Sequence, residues 1–182
     1  PTETVYGLGA DATNGLAVAK IFTAKGRPSF NPLICHVSNL TMAIELAEFS
    51  PLARELAQAF WPGPLTLVLP RTRGCPVAEL ATAGLDSIAV RVPQHPVALA
   101  ILSRLGRPVV APSANRSGHV SPTTASHVMD DLGGRIDFIV DGGPAQVGVE
   151  STIVGCLDRP VLLRPGGLPR ELTIPGIGLP GV

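Results

Sequence analysis

The sequence lacks most of the short motifs that mark common catalytic and metal-binding sites. It contains no G-x-x-x-x-G-K-[ST] phosphate loop, no H-E-x-x-H pair, no C-x-x-C and no G-x-S-x-G elbow. A phosphate-loop nucleotide site, a zinc site and a hydrolase triad are therefore not indicated. The four histidines are dispersed along the chain, so we expect no metal site built by the protein alone.

Charge, aromatic residues and cysteine are also scarce. Charged residues make up 15% of the 182 residues, and 14 basic residues balance 14 acidic ones, so there is no overall basic field to coat a nucleic acid. The three cysteines are far apart, which predicts no disulfide framework and favours the reducing cytoplasm. There is no apolar run long enough to span a membrane and no visible signal peptide, so no membrane association is expected.

Apolar residues account for 45% of the chain, which indicates one folded domain with a substantial core. The predicted helices and strands interleave without strict alternation, which favours an α/β or α+β domain around a mixed sheet. Helices are predicted near residues 15–25, 40–48, 51–60, 96–105 and 122–133, and strands near 32–37, 65–69, 87–92, 109–111, 136–140, 152–157 and 161–163.

Two cations with one glycine between them, Lys25 and Arg27, lie at the predicted end of the first helix. An ordinary solvated helix end is one interpretation, because cations there suit the helix dipole. The Gly-Arg-Pro turn favours a second interpretation, since it would hold Arg27 on a rigid corner. The planar guanidinium is suited to phosphate oxygens, so this run predicts a phosphate contact.

Polar residues follow the short strand at 109–111, which we expect in the middle of the sheet. Ser113 and Asn115 come directly after it, where ligands of open α/β sheets gather. Ser121 precedes a proline and is predicted to cap a helix, and a helix start is also an anion site. His36 lies in a predicted strand and is interpreted equally well as a core imidazole or a ligand. Arg164 is expected at a turn. One such arginine is weak evidence for a phosphate site, and it supports such a site only if several cations converge on one crevice.

Seven short motifs occur in a fixed order along the chain. They are residues 1–9 (PTETVYGLG), 25–33 (KGRPSFNPL), 60–66 (FWPGPLT), 111–115 (APSAN), 121–123 (SPT), 148–152 (GVEST) and 163–166 (LRPG). Together they resemble the motifs of the YrdC-like threonylcarbamoyl-AMP synthases, from residue 1 to about residue 168. Seven motifs in register are far more specific than any one of them.

The resemblance implies an α/β fold of the α+β type: a single YrdC-like domain with a twisted mixed sheet, flanking helices and a concave ligand cleft. Residues 1–168 would form this catalytic domain, and the first strand of the domain would precede residue 1. Residues 169–182 would be a Pro/Gly-rich tail or the stump of a linker to a second domain.

The resemblance also implies a reaction and its partners. L-threonine, bicarbonate and ATP would give threonylcarbamoyl-adenylate and pyrophosphate, and other tRNA-modification proteins would then transfer the threonylcarbamoyl group to tRNA. The residues expected to contact ATP are Lys25, Arg27, Asn31, Ser87, Ser113, Asn115, Ser121 and Arg164. Those expected to contact threonine are Thr4, His36, Arg91, Ala111 (through its backbone) and Ser151.

The residue types suit this chemistry, because every reactant except the amine is anionic. Lys25 and Arg27, the expected catalytic residues, would offset the charge repulsion together with Arg164 and the Mg²⁺ carried by ATP. Arg91 is expected to bind the carboxylate of threonine. No strong general base is evident, and positioning of aligned reactants can contribute roughly 7–11 kcal/mol.

Two alternatives stay open at this point. A carbamoyltransferase-type YrdC domain would share the fold, but the zinc-binding and acylphosphatase segments that accompany it are not visible in this sequence. An RNA-binding module without turnover would need a basic groove, and the net charge of zero weighs against it.

Overall fold

A computed structural model describes residues 1–169 and shows one mixed sheet flanked by helices. The strands are β1 (Ala10–Asp11), β2 (Ile34–His36), β3 (Leu65–Pro70), β4 (Ser87–Arg91), β5 (Val109–Val110), β6 (Thr152–Cys156) and β7 (Pro160–Arg164). The helices are α1 (Gly15–Lys25), α2 (Leu40–Leu46), α3 (Pro51–Phe60), α4 (Glu79–Thr82), α5 (Pro96–Leu105) and α6 (Ala125–Leu132). The predicted tail at 169–182 lies outside the described residues except for its first position.

The sheet has the strand order β1-β5-β2-β4-β3-β6-β7. The pairs β2–β4 and β3–β6 are parallel, and the other neighbouring pairs are antiparallel. The predicted fold class, an α/β domain of the α+β type around a mixed sheet, is therefore confirmed. The prediction that β5 lies in the middle is wrong, because only the two-residue strand β1 separates it from the edge. Its apolar residues reflect burial of the two sheet faces, which a strand near the edge also has.

Local capping signals place three helices where the sequence predicted them. The Asn14 side chain accepts hydrogen bonds from the Leu16 and Ala17 amides, and Ser50 accepts one from Ala53. Gly26 directly follows α1 and Gly106 directly follows α5, and both glycines have a left-handed backbone with φ near +60°. These ends were predictable because a cap acts within one turn of the chain.

The helix after Ser121 begins later than predicted. Helix α6 starts at Ala125, and its N-cap is Thr124, whose hydroxyl accepts from the His127 amide. Ser121 does not cap a helix; its hydroxyl donates to Glu150 instead. Its neighbour Pro122 accepts a backbone hydrogen bond from Tyr6, so tertiary contacts keep this segment out of the helix.

Four short segments also differ from the prediction. Residues 136–140 are not a strand, because no strand among residues 1–169 forms a ladder with them. Helix α2 ends at Leu46 rather than near Glu48. Strand β1 and helix α4 were not predicted, because two and four residues are too few to show a period.

The core lies along the central strands, where aliphatic side chains are fully buried. Leu67 and Leu69 of β3, Val90 of β4 and Cys35 of β2 have no accessible surface. This packing fixes the positions of β2, β3 and β4, and therefore of the residues at their ends. Within residues 1–169, every helix falls short of the length and apolarity needed to cross a membrane.

Candidate active site

The polar residues that the motifs singled out lie together where several neighbouring strands of the sheet begin or end. His36 and Arg91 end the parallel strands β2 and β4 and are paired in register. Thr152 opens β6, so Ser151 lies directly before that strand at the same edge. Arg164 ends β7 and is paired with Ile153 of β6. Strand register therefore brings together four residues that are far apart in the sequence.

A cleft of about 220 Å³ opens at this edge. About half of its lining residues are polar. They include the four residues named above, the cation Arg27 and the carboxylate of Glu150. The predicted site residues among its lining are Thr4, Arg27, His36, Arg91, Ala111, Ser113, Ser151 and Arg164. A larger cavity of about 890 Å³ lies between α1, α5 and residues 135–140, but its walls are mainly aliphatic. The smaller cleft is thus the better candidate for an anionic ligand.

Lys25 joins helix α1 to the segment after β5. Its Nζ donates hydrogen bonds to the carbonyl oxygens of Ser113 and Asn115, and only 3% of the residue is exposed. Burial, and then the charge of Arg27, lower the pKa of Lys25 to about 8. Lys25 therefore supplies a positive charge behind the cleft wall and fixes the shape of that wall.

Arg27 sits on the turn after α1. Its Nε donates to the Asn31 carbonyl at 3.3 Å and its Nη2 to the Pro32 carbonyl at 3.1 Å. These hydrogen bonds hold the turn in one shape. The sequence analysis predicted such a rigid corner at this turn. Two of the five N–H groups of the guanidinium serve this purpose, so the fork retains donors for a ligand. Asn31 is placed in the same turn, where its carbonyl is a partner of Arg27.

Arg91 is buried at 3% exposure and makes three side-chain contacts. Its Nη2 lies 2.5 Å from Glu3 Oε1, its Nη1 donates to Thr4 Oγ1 at 2.9 Å, and its Nε donates to Gly63 at 3.1 Å. Sequence reasoning missed Glu3. Its position one residue before Thr4 in the first motif was the only signal for it. The pair gives Arg91 a fixed orientation at the cleft wall.

Glu150 and Arg164 form an ion pair across the cleft mouth. Arg164 also donates through Nε and Nη2 to the Ser151 carbonyl, at 3.1 and 2.9 Å. Ser121 donates to the second oxygen of Glu150 at 2.9 Å. A Cβ on Gly166 would collide with the Glu150 carbonyl, so this turn requires glycine. Glu150 is a second residue that sequence reasoning missed, although it lies inside the GVEST motif.

Ser151 is buried at 2% exposure and has two side-chain partners. Its Oγ lies 2.7 Å from Thr66 Oγ1 and accepts from Arg164 Nη2 at 3.1 Å. His36 is also buried, and its Nδ1 lies 3.2 Å from the Ile34 carbonyl. Burial and the charge of Arg91 lower the pKa of His36 to about 3, so the imidazole is neutral near pH 7.

Five predicted residues are not among those that line the cleft: Lys25, Asn31, Ser87, Asn115 and Ser121. The Asn115 amide donates to the carbonyls of Arg116 and His119 and so shapes a loop rather than facing the cleft. Ser87 begins β4 whereas Arg91 ends it, a separation of about 13 Å at the usual rise per residue. The structure therefore does not bring Ser87 to the cleft. Among residues 1–169, no group of three or more His, Cys, Asp or Glu could hold a metal ion.

The chain is similar to proteins of one family. The family model of Sua5, YciO and YrdC, described as "Telomere recombination", matches residues 1–166. The threonylcarbamoyl-AMP synthase of Bacillus subtilis is 54% identical over 173 residues, covering 94% of this chain and 50% of the relative. The crystal structure of P. abyssi Sua5 complexed with L-threonine has a TM-score of 0.90 and 53% identity, covering 94% of this chain and 50% of that chain. A threonylcarbamoyl-AMP synthase from Idiomarina loihiensis is 36% identical and covers 88% of this chain and 87% of the relative.

The TM-score of 0.90 shows that this chain shares its mixed-sheet fold with the matched part of P. abyssi Sua5. The chain belongs to the Sua5/YciO/YrdC family. It spans 50% of the length of the B. subtilis and P. abyssi relatives.

Proposed function

We propose that this protein is a threonylcarbamoyl-AMP synthase that uses L-threonine, bicarbonate and ATP. The observation that carries the proposal is a cleft lined by Arg27 and Arg164, with Lys25 behind one wall and with Thr4 and Arg91 in its deeper wall. The cations suit a triphosphate, and the deeper wall suits a small amino acid with a carboxylate. The names of the relatives support this assignment, because they are threonylcarbamoyl-AMP synthases.

In this proposal, the threonine amine attacks bicarbonate and water leaves, which forms a carbamate. A carbamate oxygen then attacks the α-phosphate of ATP, and the bond to pyrophosphate breaks. Lys25 and Arg27 stabilise the charge that grows on the phosphates, with Mg²⁺ entering as part of the ATP substrate. Ser113, Ser121 and Arg164 help to hold the nucleotide, and Asn31 and Asn115 keep the turn and loop around it in shape.

Threonine would lie deeper, against the ends of β2 and β4. Arg91 is oriented by Glu3 and offers its remaining N–H groups to the carboxylate. The Thr4, Ala111 and Ser151 groups contact the rest of the amino acid. Neutral His36 avoids placing a second positive charge beside Arg91.

The proposed product is an activated carbamate, which implies downstream tRNA-modification proteins and tRNA as partners. We place the protein in the cytoplasm, where tRNA is modified and where Cys35, Cys75 and Cys156 would stay reduced. The two alternatives, a carbamoyltransferase-type YrdC domain and an RNA-binding module, predict different substrate requirements.

The test is pyrophosphate release, measured with each substrate omitted in turn. We expect release only when ATP, threonine and bicarbonate are all present. Arg27→Ala should reduce the rate by at least about 100-fold, because a donor to a phosphate is lost in the transition state. Release with carbamoyl phosphate in place of bicarbonate and threonine would favour the carbamoyltransferase. RNA binding without any turnover would overturn the enzyme assignment.

A further inference from the structure

Glu150 holds an unusual place in the cleft. Of the described residues that line it, Glu150 alone carries a carboxylate. Arg27 and Arg164 line the same cleft, and Lys25 lies behind its wall. Burial lowers the pKa of both Lys25 and Arg27, and the negative charge of Glu150 partly opposes that lowering. The carboxylate therefore lies within the electrostatic reach of three cations.

Both oxygens of Glu150 contact groups that the proposed function assigns to ATP. Oε1 accepts from Ser121 at 2.9 Å, and Oε2 pairs with Nη1 of Arg164. These are a hydroxyl and a guanidinium, two donors that commonly bind phosphate oxygens. Glu150 thus satisfies donors that a phosphate group would otherwise use.

The main chain at Glu150 is fixed, whereas its side chain has room to move. The Glu150 carbonyl accepts from the Gly167 amide at 2.9 Å, and Gly166 packs against the same peptide. The side chain is 35% exposed. A phosphate that binds Ser121 and Arg164 would displace the carboxylate but leave it beside the phosphate. Two negative groups at that separation repel each other unless a cation lies between them.

A divalent cation would remove this repulsion. Mg²⁺ bound with nucleotides takes one or two carboxylates together with phosphate oxygens and several waters. We propose, on the basis of the proposed function, that Glu150 is the protein ligand of the divalent cation that enters the cleft with ATP. A single carboxylate is enough for this role, because the phosphates and waters complete the octahedron.

The test is calorimetric binding of ATP, with excess Mg²⁺ and with EDTA, to three proteins. They are the unaltered chain, Glu150→Gln and Glu48→Gln. Glu48 is an exposed glutamate after α2, so its variant is a matched control for the loss of one negative charge. We expect the unaltered chain and the control to bind Mg²⁺–ATP at least about tenfold more tightly than metal-free ATP. Glu150→Gln should bind metal-free ATP more tightly, bind Mg²⁺–ATP more weakly and lose the preference.

The outcomes separate this inference from the proposed function. An unchanged Mg²⁺ preference in Glu150→Gln would overturn the metal role while leaving ATP use intact. Equal tightening of both ATP forms would also overturn it, because Glu150 would then only compete with phosphate. Failure of the unaltered chain to bind ATP in either form would overturn the proposed function and this inference together.

A second measurement needs no variant. Crystals of the unaltered chain soaked with ATP and Mn²⁺ should show an anomalous peak about 2.1–2.2 Å from a Glu150 carboxylate oxygen, near the distance that Mg²⁺ prefers. A peak coordinated by phosphates and waters, with Glu150 still on Arg164, would contradict the inference.

Discussion

Thr66 Oγ1 lies 2.7 Å from Ser151 Oγ, and both side chains are buried. Thr66 belongs to β3 and Ser151 precedes β6, so the parallel pairing of these strands creates the contact. The hydrogen bond limits the rotation of the Ser151 hydroxyl at the cleft wall. Thr66 is therefore a positioning residue for a group assigned to threonine binding.

Removing the Thr66 hydroxyl should disturb threonine binding more than catalysis. Thr66→Val keeps the side-chain shape but leaves the Ser151 hydroxyl short of one buried partner, a loss of about 1–3 kcal/mol. We expect the KM for threonine to rise about tenfold with a smaller change in kcat. Thr66→Ser retains the hydroxyl and should stay close to the unaltered protein. An equal loss in Thr66→Ser and Thr66→Val would point to packing instead.

The buried ion pair between Glu3 and Arg91 should be costly to break. Glu3→Gln leaves the guanidinium without its negative partner, and removal of one member of a buried pair costs about 3–5 kcal/mol. The free energy of unfolding from urea titration measures this loss. Arg107→Gln breaks the pair with Asp11 at a side chain that is 62% exposed and should cost under about 1 kcal/mol. Similar losses in both variants would contradict the assigned role of Glu3.

ATP affinity should depend on pH through Lys25. The pKa of Lys25 is lowered to about 8, so its ammonium loses its proton as the pH rises through that value. A bound triphosphate favours the charged form, and affinity should therefore fall by about tenfold or more from pH 7.5 to pH 10. Lys25→Met should bind weakly at every pH and lack this decline. A decline of the same size in Lys25→Met would assign the titration to another group.

Ser87 and Ser121 were both predicted to contact ATP, but the structure places only Ser121 beside the cleft. Ser121 reaches the cleft through Glu150, whereas Ser87 begins β4 at the far end from Arg91. Ser121→Ala should weaken Mg²⁺–ATP binding by about fivefold to tenfold, as expected for the loss of one hydrogen bond. Ser87→Ala should leave the affinity within about twofold. Weaker binding by Ser87→Ala would show that the sequence-based assignment of Ser87 was right.

Features that depend on neighbouring residues were accessible from the sequence. Caps such as Asn14 and stops such as Gly26 act within one helical turn, so the helices they bound were predicted well. The Lys25–Arg27 turn was likewise predicted to be a rigid corner, and its internal hydrogen bonds form within eight residues of the chain. Its contact with phosphate stays a prediction.

The positions of Glu3 and Glu150 depended on the folded sheet. Glu3 meets Arg91 across 88 positions, and strand order decides which distant residues become neighbours. The segment 136–140 is apolar enough for a strand, yet within residues 1–169 it has no ladder partner, and a strand exists only with one. Residue types and short motifs thus indicated the chemistry of the cleft. Long-range pairing set the orientation of its charges, because ion pairs and ladders join residues that local patterns cannot relate.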